Sequence, residues 1–212
     1  MPAVLTVSNI SKSFDRRPIL KDISFTLHQG ETIVLMGKNG VGKSTLLRIL
    51  ARIMACDGGQ ISFQNKDLLK GSPCDRHKLL YLGHAPAMYT TLSAKENIKL
   101  ALTLRGMTVD LSEIQNQLNY FGIGTQSNDP ISIYSQGMLQ RLKLAYAELV
   151  NWNLLLIDEP FSGLDTDGVG LVETALHRWK EIGKSLILVL HNQSRAKEFG
   201  DRILYIQNGS IE

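Results

Sequence analysis

Cysteine is nearly missing from this sequence: Cys56 and Cys74 are the only two in 212 residues. Two thiols that far apart supply neither a zinc cluster nor a disulfide framework, and they read as incidental residues of a reduced, cytosolic setting. Long hydrophobic runs are also lacking. The most apolar stretches, 154–157 and 186–190, fall far short of the ~18–20 residues that cross a bilayer, so any membrane contact has to come through other proteins. The N-terminus alternates Val4, Val7 and Ile10 and has no basic segment leading into an apolar run, which argues against a secretory signal. The formal net charge is only +3, and Lys and Arg are scattered rather than gathered into the stripe that grips nucleic acid. There is no low-complexity tract and no internal repeat, which leaves one unit rather than two.

What remains is an ordinary globular composition, with 43% hydrophobic and 20% charged residues. The length suits one large domain or a core with an insert. Short β-rich apolar runs at 32–36, 79–82, 154–157, 185–190 and 203–206 read as buried strands. Between them, Leu46, Leu47, Leu50, Ile53 and Met54 follow the helical period, as do Val169, Val172, Leu176 and Trp179 before a stop at Gly183. This alternation predicts an α/β fold with a mostly parallel core sheet.

Residues 85–150 carry helical patterns with hardly any strand signal and read as a helical insert in a core made of 1–84 and 151–212. Its first helix opens on a capping box, Ser93 with Glu96, and ends near Gly106. A second begins around Asp110, with Leu111, Ile114, Leu118 and Phe121 on one face, and a third begins just after Ser135. Asn208-Gly209 between Ile206 and Ile211 is a two-residue hairpin signal and predicts an antiparallel β fringe.

The segment Gly37-Lys38-Asn39-Gly40-Val41-Gly42-Lys43-Ser44 fits G-x-x-x-x-G-K-S/T, follows a strand candidate and opens a helix. Glycines let the backbone N–H groups curl inward, and the helix N-terminus adds positive potential where phosphate oxygens would sit. Lys43 is placed to reach the β- and γ-phosphates, Ser44 to offer its hydroxyl to Mg²⁺, and Thr45 completes the nucleotide-binding run. A second motif delivers two acids at the end of four apolar residues, Leu154-Leu155-Leu156-Ile157-Asp158-Glu159-Pro160. Ligands of open α/β sheets bind at that carboxyl edge. Asp158 suits Mg²⁺, directly or through water, and Glu159 suits the orientation of an attacking water.

Phosphate loops serve many chemistries, and other segments narrow the choice. Tyr134-Ser135-Gln136-Gly137-Met138 resembles the signature motif of the ABC family, usually Leu-Ser-Gly-Gly-Gln; Ser162-Gly163-Leu164-Asp165 looks like its D-loop, His191 like its switch histidine, and Phe14 stands at its A-loop. The likeness spans essentially the whole chain. It implies a P-loop NTPase of ABC architecture that hydrolyses ATP with Mg²⁺, with Glu159, His191 and Lys43 as the catalytic set. It further implies a head-to-tail dimer in which Ser135, Gln136 and Gly137 cradle the γ-phosphate of the nucleotide on a second ABC cassette, expected to be another copy. Phe14 then stacks on adenine. His84 occupies the usual Q-loop glutamine position, between Mg²⁺ and the membrane partner, and Gln136 and Met138 also depart from the common signature.

Leu82-Gly83-His84-x-Pro86, Tyr89, residues 91–94 and Glu96-Asn97 are similar to the haem-exporting ATPases of cytochrome c maturation. The expected role is therefore that of an exporter ATPase at the cytoplasmic face of the cell membrane, docked on transmembrane permease subunits through residues 84–96, with no nucleic acid partner. Exporters of drugs, lipids or polysaccharides share pieces of the pattern. A soluble ABC protein on ribosomes is the rival from another class, although such proteins usually carry two cassettes or long coiled-coil inserts. A small kinase or GTPase is weaker still, since Asn65-Lys66-Asp67-Leu68 only approaches a guanine-reading segment.

Overall fold

A computed structural model describes residues 2–85 and 87–212; Pro86 of the pattern above lies outside the described residues. In chain order the elements are β1 (Ala3–Phe14), β2 (Arg17–His28), β3 (Thr32–Met36), α1 (Lys43–Leu50), β4 (Gly58–Phe63), β5 (Lys66–Asp67) and β6 (Leu79–Leu82). Then come α2 (Ala94–Leu104), α3 (Leu111–Tyr120), α4 (Gln136–Leu149), β7 (Leu154–Asp158), α5 (Thr166–Glu181), β8 (Ser185–Val189), α6 (Gln193–Phe199), β9 (Arg202–Gln207) and β10 (Ser210–Ile211). The chain divides into two compact units. One comprises Met1–Gly83, Trp152–Glu159 and His177–Glu212, and the other His84–Asn151 and Pro160–Leu176. The second thus takes in 160–176, which the sequence reading left in the core.

The first unit holds two sheets. The six-stranded one runs β10-β9-β3-β8-β7-β6, and every neighbouring pair is parallel except the terminal hairpin of β9 and β10. Strands β3, β7 and β8 are buried at every residue, which is why they read as unbroken apolar runs rather than alternating ones. In the hairpin, Asn208 and Gly209 take φ of 50° and 86°, the left-handed pair that a two-residue turn between twisted strands requires. The other sheet is antiparallel, in the order β2-β1-β4-β5. Leu46, Leu47 and Leu50 of α1 fill one core together with Leu5, Ile10 and Ile23 of that sheet and Ile33, Leu35, Leu156 and Ile187 of the parallel one. The helix that follows the phosphate loop is thereby clamped between two sheets.

Helix α1 is shorter than its apolar spacing suggested, and Ile53 is 64% exposed rather than on the helical face. The cause is a left-handed residue, Arg52 at φ 59°, that lets Ile53 N–H donate to Arg48 O and Arg52 N–H to Ile49 O. Those two bonds satisfy the last carbonyls and end the helix. The Arg52 guanidinium donates to Leu68 O, which offsets the cost of a non-glycine residue there.

In the second unit α2 packs on α3, and α3 on α4. Ile98, Leu102, Ile114, Leu118, Phe121 and Leu142 are all but fully buried. Leu111 departs from its expected place on the apolar face: as the first residue of α3 it is 51% exposed. The capping box at α2 is complete, with Ser93 Oγ accepting from Glu96 N–H and the Glu96 carboxylate accepting from Ser93 N–H. The Ser93 N–H and, next, the Ser93 hydroxyl both donate to the Glu96 carboxylate and hold it below its ordinary value of 4.5. A depressed carboxyl contributes fully above that value and loses its contribution as acid protonates the folded state. Ser93→Ala is expected to cost about 1 kcal/mol and to lower Tm by about 2–4 °C in thermal denaturation at neutral pH. The deficit should shrink on titration to strongly acidic pH, and a deficit independent of pH would refute the reciprocal cap.

Candidate active site

Strand β3 delivers the chain to a loop of glycines, and α1 begins on Gly42 at φ 111°. A Cβ there would lie 2.7 Å from Leu20 Cδ2, so only glycine fits, for conformation and space together. Lys38, Asn39 and Gly40 stand exposed, Gly37, Val41, Ser44 and Thr45 are half-buried, and Gly42 is buried. Lys43 is 5% exposed and donates to the carbonyls of Gly37 and Lys38 at 2.8 and 3.0 Å. Its ammonium thus folds back over its own loop, at the rim of the cradle. Burial lowers its pKa, an effect opposed by the charges of Glu159 and then Asp158.

The two acids at the end of β7 differ sharply. Asp158 is 2% exposed, and among the described residues neither carboxylate oxygen has a hydrogen-bond partner. A buried charge without partners is costly, and it is the arrangement expected of a group kept for a cation. A magnesium ion generally takes one or two carboxylates, waters and substrate phosphates rather than an all-protein cage. Asp158 with the Ser44 hydroxyl fits that habit. Glu159 is half-exposed and held at φ 54°, a left-handed conformation costly for a side chain with a Cβ. Its N–H donates to Val189 O at 3.2 Å, which ties the strained residue to β8. His191, two residues past β8, brings Nε2 to 2.8 Å from Glu159 Oε1. The carboxylate most suited to orient water is therefore itself oriented by the histidine singled out from the sequence.

Phe14 lies at the end of β1, 43% exposed, with the Lys12 ammonium 5.5 Å from its ring centroid. His84 begins the second unit as an exposed residue whose carbonyl accepts from Lys143 Nζ at 3.3 Å.

Within that second unit, Ser135 caps α4 by accepting from Met138 N–H at 3.2 Å. Tyr134 is buried, with its hydroxyl donating to Gln126 O, whereas Ser135 and Gln136 are exposed. A surface hollow of about 360 Å³ opens there, lined by Ser135, Gly137, Met138, Arg141, Gly163 and Asp165 among others. Spacing alone did not reveal that Gln140, 3% exposed, donates from Nε2 to Pro160 O at 2.9 Å. The bond joins α4 to the turn that follows the two acids, and a polar residue at a helix position turned to the interior was the available signal.

The profile of the ABC transporter family matches residues 20–162. The chain belongs to that family. It is the ATP-binding, ATP-hydrolysing subunit of an ABC transporter. Among relatives, the lantibiotic transport ATP-binding protein SrtF of Streptococcus pyogenes is 32% identical over 208 residues, covering 98% of this chain and 89% of its own length. The cytochrome c biogenesis ATP-binding export protein CcmA of Vibrio cholerae is 32% identical over 188 residues, 89% of this chain and 91% of its own. The spermidine/putrescine import ATP-binding protein PotA of Mycoplasma mycoides is 30% identical over 212 residues, 99% of this chain but 60% of its own.

A solved ATP-binding subunit of an ABC transporter superposes with a TM-score of 0.88 at 27% identity, covering 98% of this chain and 88% of that one. A cassette solved as a dimer in a post-hydrolysis state bound to ADP and Pi shares the fold, with a TM-score of 0.89 at 23% identity over 98% of this chain and 96% of that one. No helix among the described residues of this ABC ATPase is long and apolar enough to cross a membrane.

Proposed function

We propose that two copies of this ABC ATPase close head to tail on two ATP molecules and that closure drives export through separate transmembrane permease subunits. Each copy presents its Lys43 loop to one nucleotide and its Ser135, Gln136 and Gly137 to the other. The observation that carries this reading is the exposure of Ser135 and Gln136 at the start of α4, above an open hollow. An anion cradle made of a hydroxyl and helix N–H groups, with no phosphate loop of its own unit to serve, suits a nucleotide brought by a second molecule.

In the proposed cycle Lys43 leaves the carbonyls of Gly37 and Lys38 and turns to the β- and γ-phosphates. Phe14 stacks on the adenine. Asp158 and Ser44 would hold Mg²⁺, which would neutralise charge on the phosphate oxygens. Glu159 orients a water in line with the γ-phosphate and takes up its proton, and His191 keeps that carboxylate in place. ATP drives closure to the extent that it binds the closed pair more tightly than the open one.

The proposed direction and cargo rest on finer features of the sequence. Leu82-Gly83-His84 with Pro86, Tyr89 and Glu96-Asn97 supports export of haem for cytochrome c maturation, while the identities with the lantibiotic transporter and the cytochrome c biogenesis exporter are equal at 32%. The protein is then peripheral at the cytoplasmic face of the inner membrane. Affinity purification of the tagged chain from gently solubilised membranes tests this reading. Hydrophobic subunits and a haem Soret band should co-purify. Subunits without haem would replace the cargo by that of another transporter, and recovery with ribosomes would refute the transport role.

A further inference from the structure

Asp165, at the end of the loop 162–165, is tied to α4 by an ion pair. Arg141, one turn into α4, donates from Nη2 to Asp165 Oδ1 at 2.6 Å. The same oxygen accepts from Gly168 N–H at 2.9 Å, so one carboxylate atom serves both the start of α5 and the guanidinium. Gly168 is where a Cβ would stand 3.2 Å from Arg141 Nη2 and 2.8 Å from Asp165 Oδ1. On its other side the guanidinium passes over Gly122, just beyond α3, where a Cβ would lie 2.8 Å from Nη1.

Next to this pair the two loops touch directly. A Cβ on Gly137 would come 2.8 Å from Gly163 O, and one on Gly163 would come 2.8 Å from Gln136 Cγ. The glycines permit the approach, but nothing in a glycine holds it. The Arg141 side chain is 16% exposed and that of Asp165 is 68% exposed, so the ion pair has one partner sheltered inside the unit and one at its surface. Hydrogen bonds from Gly168 and Arg141 keep the Asp165 carboxyl below its ordinary range, so it is charged at neutral pH.

We propose that Arg141 is the positioning residue that makes the segment 135–138 and the loop 162–165 one rigid face, so that both meet the partner's nucleotide in register. The inference rests on the head-to-tail reading above. Arg141 does not touch the nucleotide in this role. It acts through Asp165, by removing the freedom of the loop relative to α4 before the two copies meet, so that less ordering remains to be done at closure. A lysine would supply the charge without the planar fork that lies between Gly122 and Asp165, so the two are not interchangeable here.

The test uses Arg141→Met, Arg141→Lys, Asp165→Asn and the Met/Asn double variant, each in the full chain and each also combined with Glu159→Gln. Binding of a fluorescent ATP analogue to the single chain and Tm should stay within experimental scatter of the parent, because both belong to the first unit's loop and to a core that Arg141 does not fill. The kcat should fall ~10- to 100-fold, the scale on which misplaced groups cost rate, and ATP-dependent dimerisation of the Glu159→Gln chain should weaken in parallel. The double variant should be no worse than the worse single one. Arg141→Lys should recover at most a part of kcat.

Unchanged dimerisation and turnover in Arg141→Met overturn the proposal. Strictly additive effects of Met and Asn do so too, as does a fall of nucleotide binding in step with Tm, which would mark Arg141 as merely structural. If the Glu159→Gln chain with Arg141 intact fails to dimerise on ATP, the head-to-tail reading itself fails, and the two failures are told apart.

Discussion

Glu159→Gln is expected to lower kcat for ATP hydrolysis by roughly 10²–10⁴-fold, the usual loss when a general base is removed, while ATP-dependent dimerisation persists. Gln has the outline of Glu, and its carbonyl oxygen can still accept from His191 Nε2, which now lies 2.8 Å from Glu159 Oε1. The left-handed backbone at φ 54° is set by the chain around it, including the bond to Val189 O, and an isosteric side chain does not disturb it. What the amide cannot do is take a proton from water. A hundredfold loss corresponds to about 2.7 kcal/mol of barrier, too large to arise from a change in nucleotide affinity alone if the analogue-binding constant is unmoved. Steady-state hydrolysis and size-exclusion chromatography with ATP check both halves. Turnover at the parental rate would remove Glu159 from the role assigned to it.

Asp158→Asn should separate stability from activity. The side chain is 2% exposed, neither carboxylate oxygen has a hydrogen-bond partner among the described residues, and Lys43 feels its charge. An amide of the same size removes the charge and leaves only the smaller cost of unpaired dipoles. The nucleotide-free variant is therefore expected to melt higher than the parent, by about 2–4 °C for each kcal/mol recovered in a chain of this size. In exchange, Mg²⁺-dependent ATP hydrolysis should be lost, and Mg²⁺ should no longer add to the Tm increase that ATP produces. Differential scanning calorimetry with ATP and EDTA, and then with ATP and Mg²⁺, measures both. A lower Tm in the nucleotide-free variant, or a full Mg²⁺ increment, would show that Asp158 is held by protein contacts and not reserved for a cation.

The parts of the fold legible in the sequence were those in which a local rule and the tertiary structure agree. The buried strands 32–36 and 154–157 are apolar throughout because both faces of the parallel sheet are covered, and the capping residues Ser93, Asp110 and Ser135 each stand at the helix starts they signalled. The misses occurred where context overrode the pattern. Ile53 and Met54 continue the helical period, yet Arg52 turns left-handed and ends α1, a change that Leu68 O rewards from a distant loop. Leu111 fits an apolar face but lies in the first turn, beyond the reach of α3's neighbours. The antiparallel sheet of β1, β2, β4 and β5 leaves little signal in the sequence because its strands are half-buried and β1 carries register shifts that blur the alternation.

The sequence by itself determined the phosphate loop, since the glycines, Lys43 and Ser44 act through the backbone of one contiguous turn whose geometry is local. It also determined that an aspartate and a glutamate would emerge at the carboxyl edge of a strand, because four apolar residues leave the chain no other course. Only the tertiary structure decided which of those acids is sealed and partnerless and which is gripped by His191, 32 residues away. It alone decided that Arg141 and Asp165, 24 residues apart, share one carboxylate oxygen with the start of α5. Such meetings depend on how strands are ordered in a sheet and helices on one another, and that order is set by the burial of apolar surface summed over a whole unit, which no short stretch of sequence contains.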